Sequence, residues 1–156
     1  MNPLDPSPQH RSPLDRRLEG FPEVELRAMV LAGELARHGI PGFEFYLPIG
    51  MLPTAVERAA SLLGIMRPGR TVTGRSARWV HVGGPAPREV EVSRRSGRML
   101  RVDAPVRCRF RRLERSEVTT LAGLVLTTPM RTMRDLLREG FEEDARLLAA
   151  ALEPAG

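Results

Sequence analysis

Gly123–Leu137 reads GLVLTTPMRTMRDLL, and the rest of the chain is ordered by this stretch. Leu124, Val125 and Leu126 form a brief apolar run that predicts a buried strand. Thr128 is placed to cap a helix with its hydroxyl, and Pro129 suits the first helical position, where no N–H is needed. Met130, Met133 and Leu137 follow at i, i+3 and i+7, which predicts an apolar face turned to the core. Arg131, Arg134, Asp135 and Arg138 fall on the other side, with Arg131 and Asp135 spaced to pair across one turn. The element is a strand, a capped corner and a helix with an arginine-rich outer face.

The chain has 156 residues, enough for one ordinary domain or two very small ones. Its 28% charged and 42% hydrophobic content predicts a globular protein rather than a disordered one. No apolar run approaches the ~18 residues of a membrane span, and prolines at 3, 6, 8 and 13 break any secretory leader. A cytoplasmic protein with no membrane partner is expected. The single Cys108 excludes an internal disulfide and any cysteine-based zinc cluster.

All 24 basic residues are arginine. A GC-rich coding sequence accounts for the lack of lysine, but not for where the charge sits. Residues 67–115 hold 14 arginines against 4 acids, whereas residues 1–66 and 116–156 are net acidic. A basic middle between acidic flanks is the footprint of a surface that meets an anion, nucleic acid first and an acidic protein second.

Residues 1–20 read as a disordered tail, 21–66 as a reduced helix-plus-wing unit and 67–156 as a basic α+β domain. Pro22–Arg37 predicts one helix, stopped by Gly39, with Val24, Ala28, Leu31 and Leu35 on one stripe and Leu26, Met29 and Val30 on another. Residues 43–49 predict a strand and 53–63 a second helix. A short helix ends near His81, with Trp79 as a core anchor.

In 89–93 polar and apolar residues alternate, as in a half-buried strand. Arg94, Arg95 and Gly97 suit a hairpin turn into a strand over 99–103, and 106–111 predicts a third strand. On that strand Val106, Cys108 and Phe110 are expected inward. Arg107, Arg109 and Arg111 are then expected outward, about 6.7 Å apart, a spacing suited to successive phosphates. Two arrangements are open: these arginines meet an anion, helped by Arg94, Arg95 and Arg98, or they pair with Glu89, Glu91 and Asp103 on neighbouring strands. No histidine–serine–acid set, metal-spaced cluster or phosphate loop is present, so neither an enzyme nor a cofactor is expected.

Four motifs extend the reading. LTTPMRTMRDL resembles the signature of the AbiEi-like antitoxin family of bacteria. FPEVELRAMVLAGELARHG, FYLPIG and TGRSARWVHVG resemble, in the same order, that family's helix, following strand and tryptophan-bearing helix. The likeness runs over roughly residues 21–140. It resembles a small form without a complete N-terminal winged helix or an endonuclease domain. The resemblance implies a DNA-binding transcriptional regulator that represses its own operon at an operator. It also implies opposition to a nucleotidyltransferase-type toxin, and a homodimer is compatible with the terminal helices. The competing reading is a non-catalytic adaptor docking an acidic partner through the same arginine face; a third is a catalytically empty remnant of an endonuclease-bearing family. The expected fold is an antiparallel sheet packed by short helices. Within it Arg131, Thr132 and Asp135 are either a binding site or a structural knot tying helix to sheet.

Overall fold

The computed structural model describes residues 18, 20–95 and 106–153. The fold is α+β. Helix α1 (Glu23–Leu31) leads into a two-stranded antiparallel ribbon of β1 (Leu35–His38) and β2 (Phe45–Pro48). Helix α2 (Ala55–Ser61) and a 3-10 turn (Leu63–Ile65) follow, then β3 (Arg70–Val72), α3 (Gly74–Val82), β4 (Val90–Arg94) and β5 (Val106–Phe110). After a second 3-10 turn (Arg115–Glu117) come β6 (Val118–Leu121), β7 (Leu124–Thr127), α4 (Pro129–Arg138) and α5 (Glu142–Leu152). The larger sheet has five strands in the order β5-β4-β3-β7-β6.

That sheet is mixed, which corrects the expectation of a purely antiparallel one. β4 and β5 are parallel, as are β3 and β7, while β3–β4 and β6–β7 are antiparallel. The parallel pair β3–β7 arises because α3, β4 and β5 intervene in the chain before β7 returns to β3's free edge. The strand expected over 99–103, with its turn at Gly97, lies outside the described residues, as does Arg98.

The helix expected over Pro22–Arg37 is half helix and half strand. Gly33 takes a φ of +75° and ends α1, so Leu35–His38 leave as a strand paired with Phe45–Pro48. Leu35 is buried in that ribbon, while Val24 and Leu31 are exposed. Local helix propensity loses here to a ribbon that buries Leu35, Ile40 and Leu47.

One buried cluster runs from Ile40 through Ala59, Leu62 and Ile65 to Val72, Ala77, Trp79 and Val80, and on to Val90, Val92, Leu124 and Leu126. Trp79 anchors it as expected. A second cluster joins Leu136 of α4 to Ala145 and Leu148 of α5, with Val82, Met133 and Phe141 packed against it. β6 and β7 are joined by a two-residue turn in which Ala122 and Gly123 both have positive φ, the geometry that matches strand twist.

The ends of α3 are held by charge. At its N-terminus the Glu91 carboxylate accepts from the Arg75 backbone N–H and from Arg75 Nε, both at 2.9 Å, where the helix dipole favours an anion. A Cβ on Gly74, whose φ is +58°, would fall 1.8 Å from Glu91 Oε2, so glycine is required there. At the C-terminus Arg58 donates to the carbonyls of Val80 and His81, and Arg78 to those of Gly83 and Pro85. These two buried arginines satisfy helix-end acceptors that would otherwise be orphaned. Arg78 is also paired with Asp144 at 2.8 Å, which ties α5 to α3.

Candidate nucleic-acid interface

Strand β5 presents Arg107 and Arg109 to one side, and Arg111 follows at its end. The side they face is not open solvent. Arg109 is 2.8 Å from Glu139, and Arg111 is 3.0 Å from Asp135 and also bonded to Glu139. Arg107 lies 3.6 Å from Glu89. Exposure of these side chains falls along the strand from 48% to 34% to 20%, as the end of α4 closes over it. Of the acids considered from sequence, only Glu89 takes part; Glu91 is used at the start of α3, and Asp103 lies outside the described residues. Asp135 and Glu139 are contributed by a helix remote in sequence, which alternation along one strand cannot reveal. Phe110, expected inward, is 52% exposed, while Val106 and Cys108 pack on the core.

Helix α4 is turned about its axis relative to the expectation from its apolar spacing. Thr132, Asp135 and Leu136 are buried, and Met130 and Leu137 are exposed. The Thr128 cap and Pro129 stand where the sequence places them, with Thr128 Oγ1 accepting from the Arg131 N–H at 3.3 Å. The reason for the turn is polar. Asp135, 1% exposed, sits between Arg111 at 3.0 Å and Arg131, whose Nε is 3.0 Å from both carboxylate oxygens. Arg131 also binds Glu117, which in turn binds Arg134. Thr132 shares a 2.7 Å bond with Thr127 and donates to the Thr128 carbonyl at 2.9 Å. Arg131, Thr132 and Asp135 thus join α4 to β7, to the turn before β6 and to the end of β5. The arrangement is that of a knot. Contacts from the backbone N–H of Glu114, then from Arg134 and Arg131, hold Glu117 below the ordinary carboxylate range.

His81 serves the same seam. Its Nε2 donates to the Thr127 carbonyl at 2.8 Å, and burial lowers its pKa, opposed by that bond and reinforced by nearby Arg58. His38 is lowered by burial too, with Glu57 opposing. The folded state therefore resists protonation at both imidazoles, while the unfolded chain takes protons near pH 6.5. Stability is expected to be complete above that pH and to decline as pH falls below it. Denaturant midpoints at pH 7.5 and pH 5.5 check this, and His81→Phe should flatten the difference.

A second group of arginines gathers elsewhere. At one end of the large sheet a pocket of about 320 Å³ is lined by Arg67, Arg70, Arg94, Arg95 and Arg111, with Ser93, Leu113, Val118 and Val125 among its other walls. Among the described residues no carboxylate lines it. Arg67 is carried by the turn before β3, Arg70 opens β3 and Arg94 closes β4 directly opposite Arg70 in register. Arg94 and Arg95 were expected from sequence to serve a hairpin turn; the fold brings them to Arg67 and Arg70, a pair nothing in local periodicity links to them. Glu89, just before β4, and Glu91, within it, are engaged by Arg107 and Arg75, and no cluster of three potential metal ligands occurs among the described residues. No helix among the described residues is long and apolar enough to cross a membrane. No protein-family model, curated protein or solved structure matches this chain.

Proposed function

We propose that this protein is a nucleic-acid-binding regulator of the antitoxin type, meeting phosphates at the sheet end that carries Arg67, Arg70, Arg94 and Arg95. One observation carries the reading: five arginines line that concavity, of which Arg111 is already paired with Asp135 and Glu139, and among the described residues no carboxylate does. Along β5 the charge of Arg107, Arg109 and Arg111 is balanced by Glu89, Glu139 and Asp135, so the phosphate contact moves from the strand to the sheet end. The excess of 14 arginines over 4 acids in residues 67–115 supports the same chemistry. Likeness to the AbiEi-like motifs supports operator DNA as the target and a nucleotidyltransferase-type toxin as the antagonised partner.

The experiment is a binding titration on duplex DNA from the upstream region at several salt concentrations. Three phosphate contacts should give a slope of log affinity against log salt of about −2.7. Arg67→Ala with Arg95→Ala should reduce its magnitude by about 1.8. Arg107→Ala with Arg109→Ala should leave it unchanged. The opposite ranking returns the contact to β5, and binding indifferent to salt removes the reading.

A second reading, a protein adaptor, is favoured by a different feature. Met130, Met133 and Leu137 floor a groove of about 490 Å³ rimmed by Arg131, Arg134 and Arg138, and Met130 and Leu137 are 69% and 57% exposed. An exposed apolar strip between arginines suits an acidic amphipathic segment.

A further inference from the structure

The pocket at the sheet end is more than a basic surface. Arg70 is 8% exposed, and its Nε is buried without a hydrogen-bond partner. One other nitrogen of the same group, Nη1, donates to the Ile65 carbonyl at 2.7 Å and thereby fixes the guanidinium in place. A buried donor left unpaired costs roughly 1–3 kcal/mol, and Arg70 is among the residues that line the pocket. Arg94 lies opposite Arg70 across β3 and β4. Burial first, and Arg67 and Arg94 next, push the Arg70 guanidinium below its usual range.

Geometry supplies the rest of a site. Arg67 is exposed on the turn at the pocket's edge, its Nη1 steadied by the Met66 carbonyl at 2.7 Å. Arg95 is exposed as well, at the end of β4. Leu113, Val118 and Val125 give apolar walls, which lower the local dielectric and strengthen any ion contact. Arg111 is already matched by Asp135 and Glu139 and adds shape rather than free charge. The volume of about 320 Å³ sits at the small end of ligand sites. It encloses one phosphate group and the sugar attached to it, which leaves neighbouring phosphates of a duplex to the arginines at its mouth.

We propose that this pocket is a seat for a single phosphate group, held by Arg70 at the back and Arg67 and Arg95 at the mouth, and that a free phosphomonoester occupies it in competition with nucleic acid. The inference deepens the nucleic-acid reading and rests on it for the competition, though not for the seat itself.

The test titrates the full chain with inorganic phosphate, with adenosine 5′-monophosphate and with chloride at matched ionic strength. Heat of binding and melting temperature are read for each, and displacement of labelled duplex DNA is followed in parallel. Phosphate and the mononucleotide should bind and raise the melting temperature where chloride does not, and both should displace the duplex. A gain for the mononucleotide over phosphate identifies a phosphomonoester as the ligand; equal binding identifies the bare oxyanion. Arg67→Ala should weaken phosphate binding about tenfold, the loss of one charge-assisted contact, and Arg107→Ala should not change it. Arg70→Met should remove binding; if that variant does not fold, Arg67→Ala, on an exposed turn, decides alone. Phosphate and chloride acting alike, or an unaltered affinity in Arg67→Ala, overturns the seat. Tight, salt-dependent duplex binding beside no phosphate effect removes the seat and spares the regulator reading. Phosphate binding beside no duplex binding does the reverse.

Discussion

Replacing Asp135 with alanine is expected to cost about 3 kcal/mol of stability or more, enough to consume much of what a domain of this size holds. Asp135 is 1% exposed and faces two guanidiniums, those of Arg111 and Arg131. Removing it leaves both cations in a seam from which water is largely excluded, each with one carboxylate fewer, Arg111 on Glu139 and Arg131 on Glu117 alone. The charge imbalance also spreads, because Arg131 shares Glu117 with Arg134, and Arg111 shares Glu139 with Arg109. Asp135→Asn keeps the shape and one acceptor and should recover only part of the loss. Urea denaturation followed by circular dichroism checks this. A loss below about 1 kcal/mol would show the knot to be ornamental, as exposed ion pairs usually are. Because the pocket arginines Arg67 and Arg70 do not touch Asp135, phosphate binding at low temperature should persist in any fraction of the variant that remains folded.

The second large effect separates two neighbouring leucines. Leu136→Ala should cost about 2–5 kcal/mol, because Leu136 is 1% exposed and packs on Ala145 and Leu148. Leu137→Ala should cost less than about 0.5 kcal/mol, because Leu137 is 57% exposed. Apolar spacing along the helix predicts the reverse order, with Leu137 on the core stripe beside Met130 and Met133. The pair of denaturation midpoints thus reads directly which side of α4 meets the protein. If the adaptor reading holds, Leu137→Ala, harmless to stability, should instead weaken capture of an acidic amphipathic peptide.

Local chemistry was legible wherever a residue acts on its own neighbours. Thr128 and Pro129 start α4, and Trp79 enters the core. Such features depend on backbone donors one turn away, and one sequence contains them whole. The class, α+β, followed from the same alternation of short strands and capped helices. The regions that misled were those where two local preferences competed. Residues 35–38 are good helix formers, yet Gly33 at positive φ let the ribbon take them.

Charge placement was the reverse case. The sequence alone located the arginine excess in residues 67–115 and put Arg107 and Arg109 on one side of a strand, because side chains alternate with a period of two whatever the fold. It had no means of finding Asp135 and Glu139 above that strand, since ion pairs across 24 residues or more depend on which way a helix rolls. The roll of α4 was in turn set by burial of Asp135 with Arg111 and Arg131, a three-body interaction that outweighs burial of Met130 and Leu137. The same long-range pairing gathered Arg67, Arg70, Arg94 and Arg95 from a turn and two strand ends into a single pocket. Periodicity is a property of one segment and survives in the string of letters. Which charges cancel and which are left over is a property of segments brought together, and appears once they are folded.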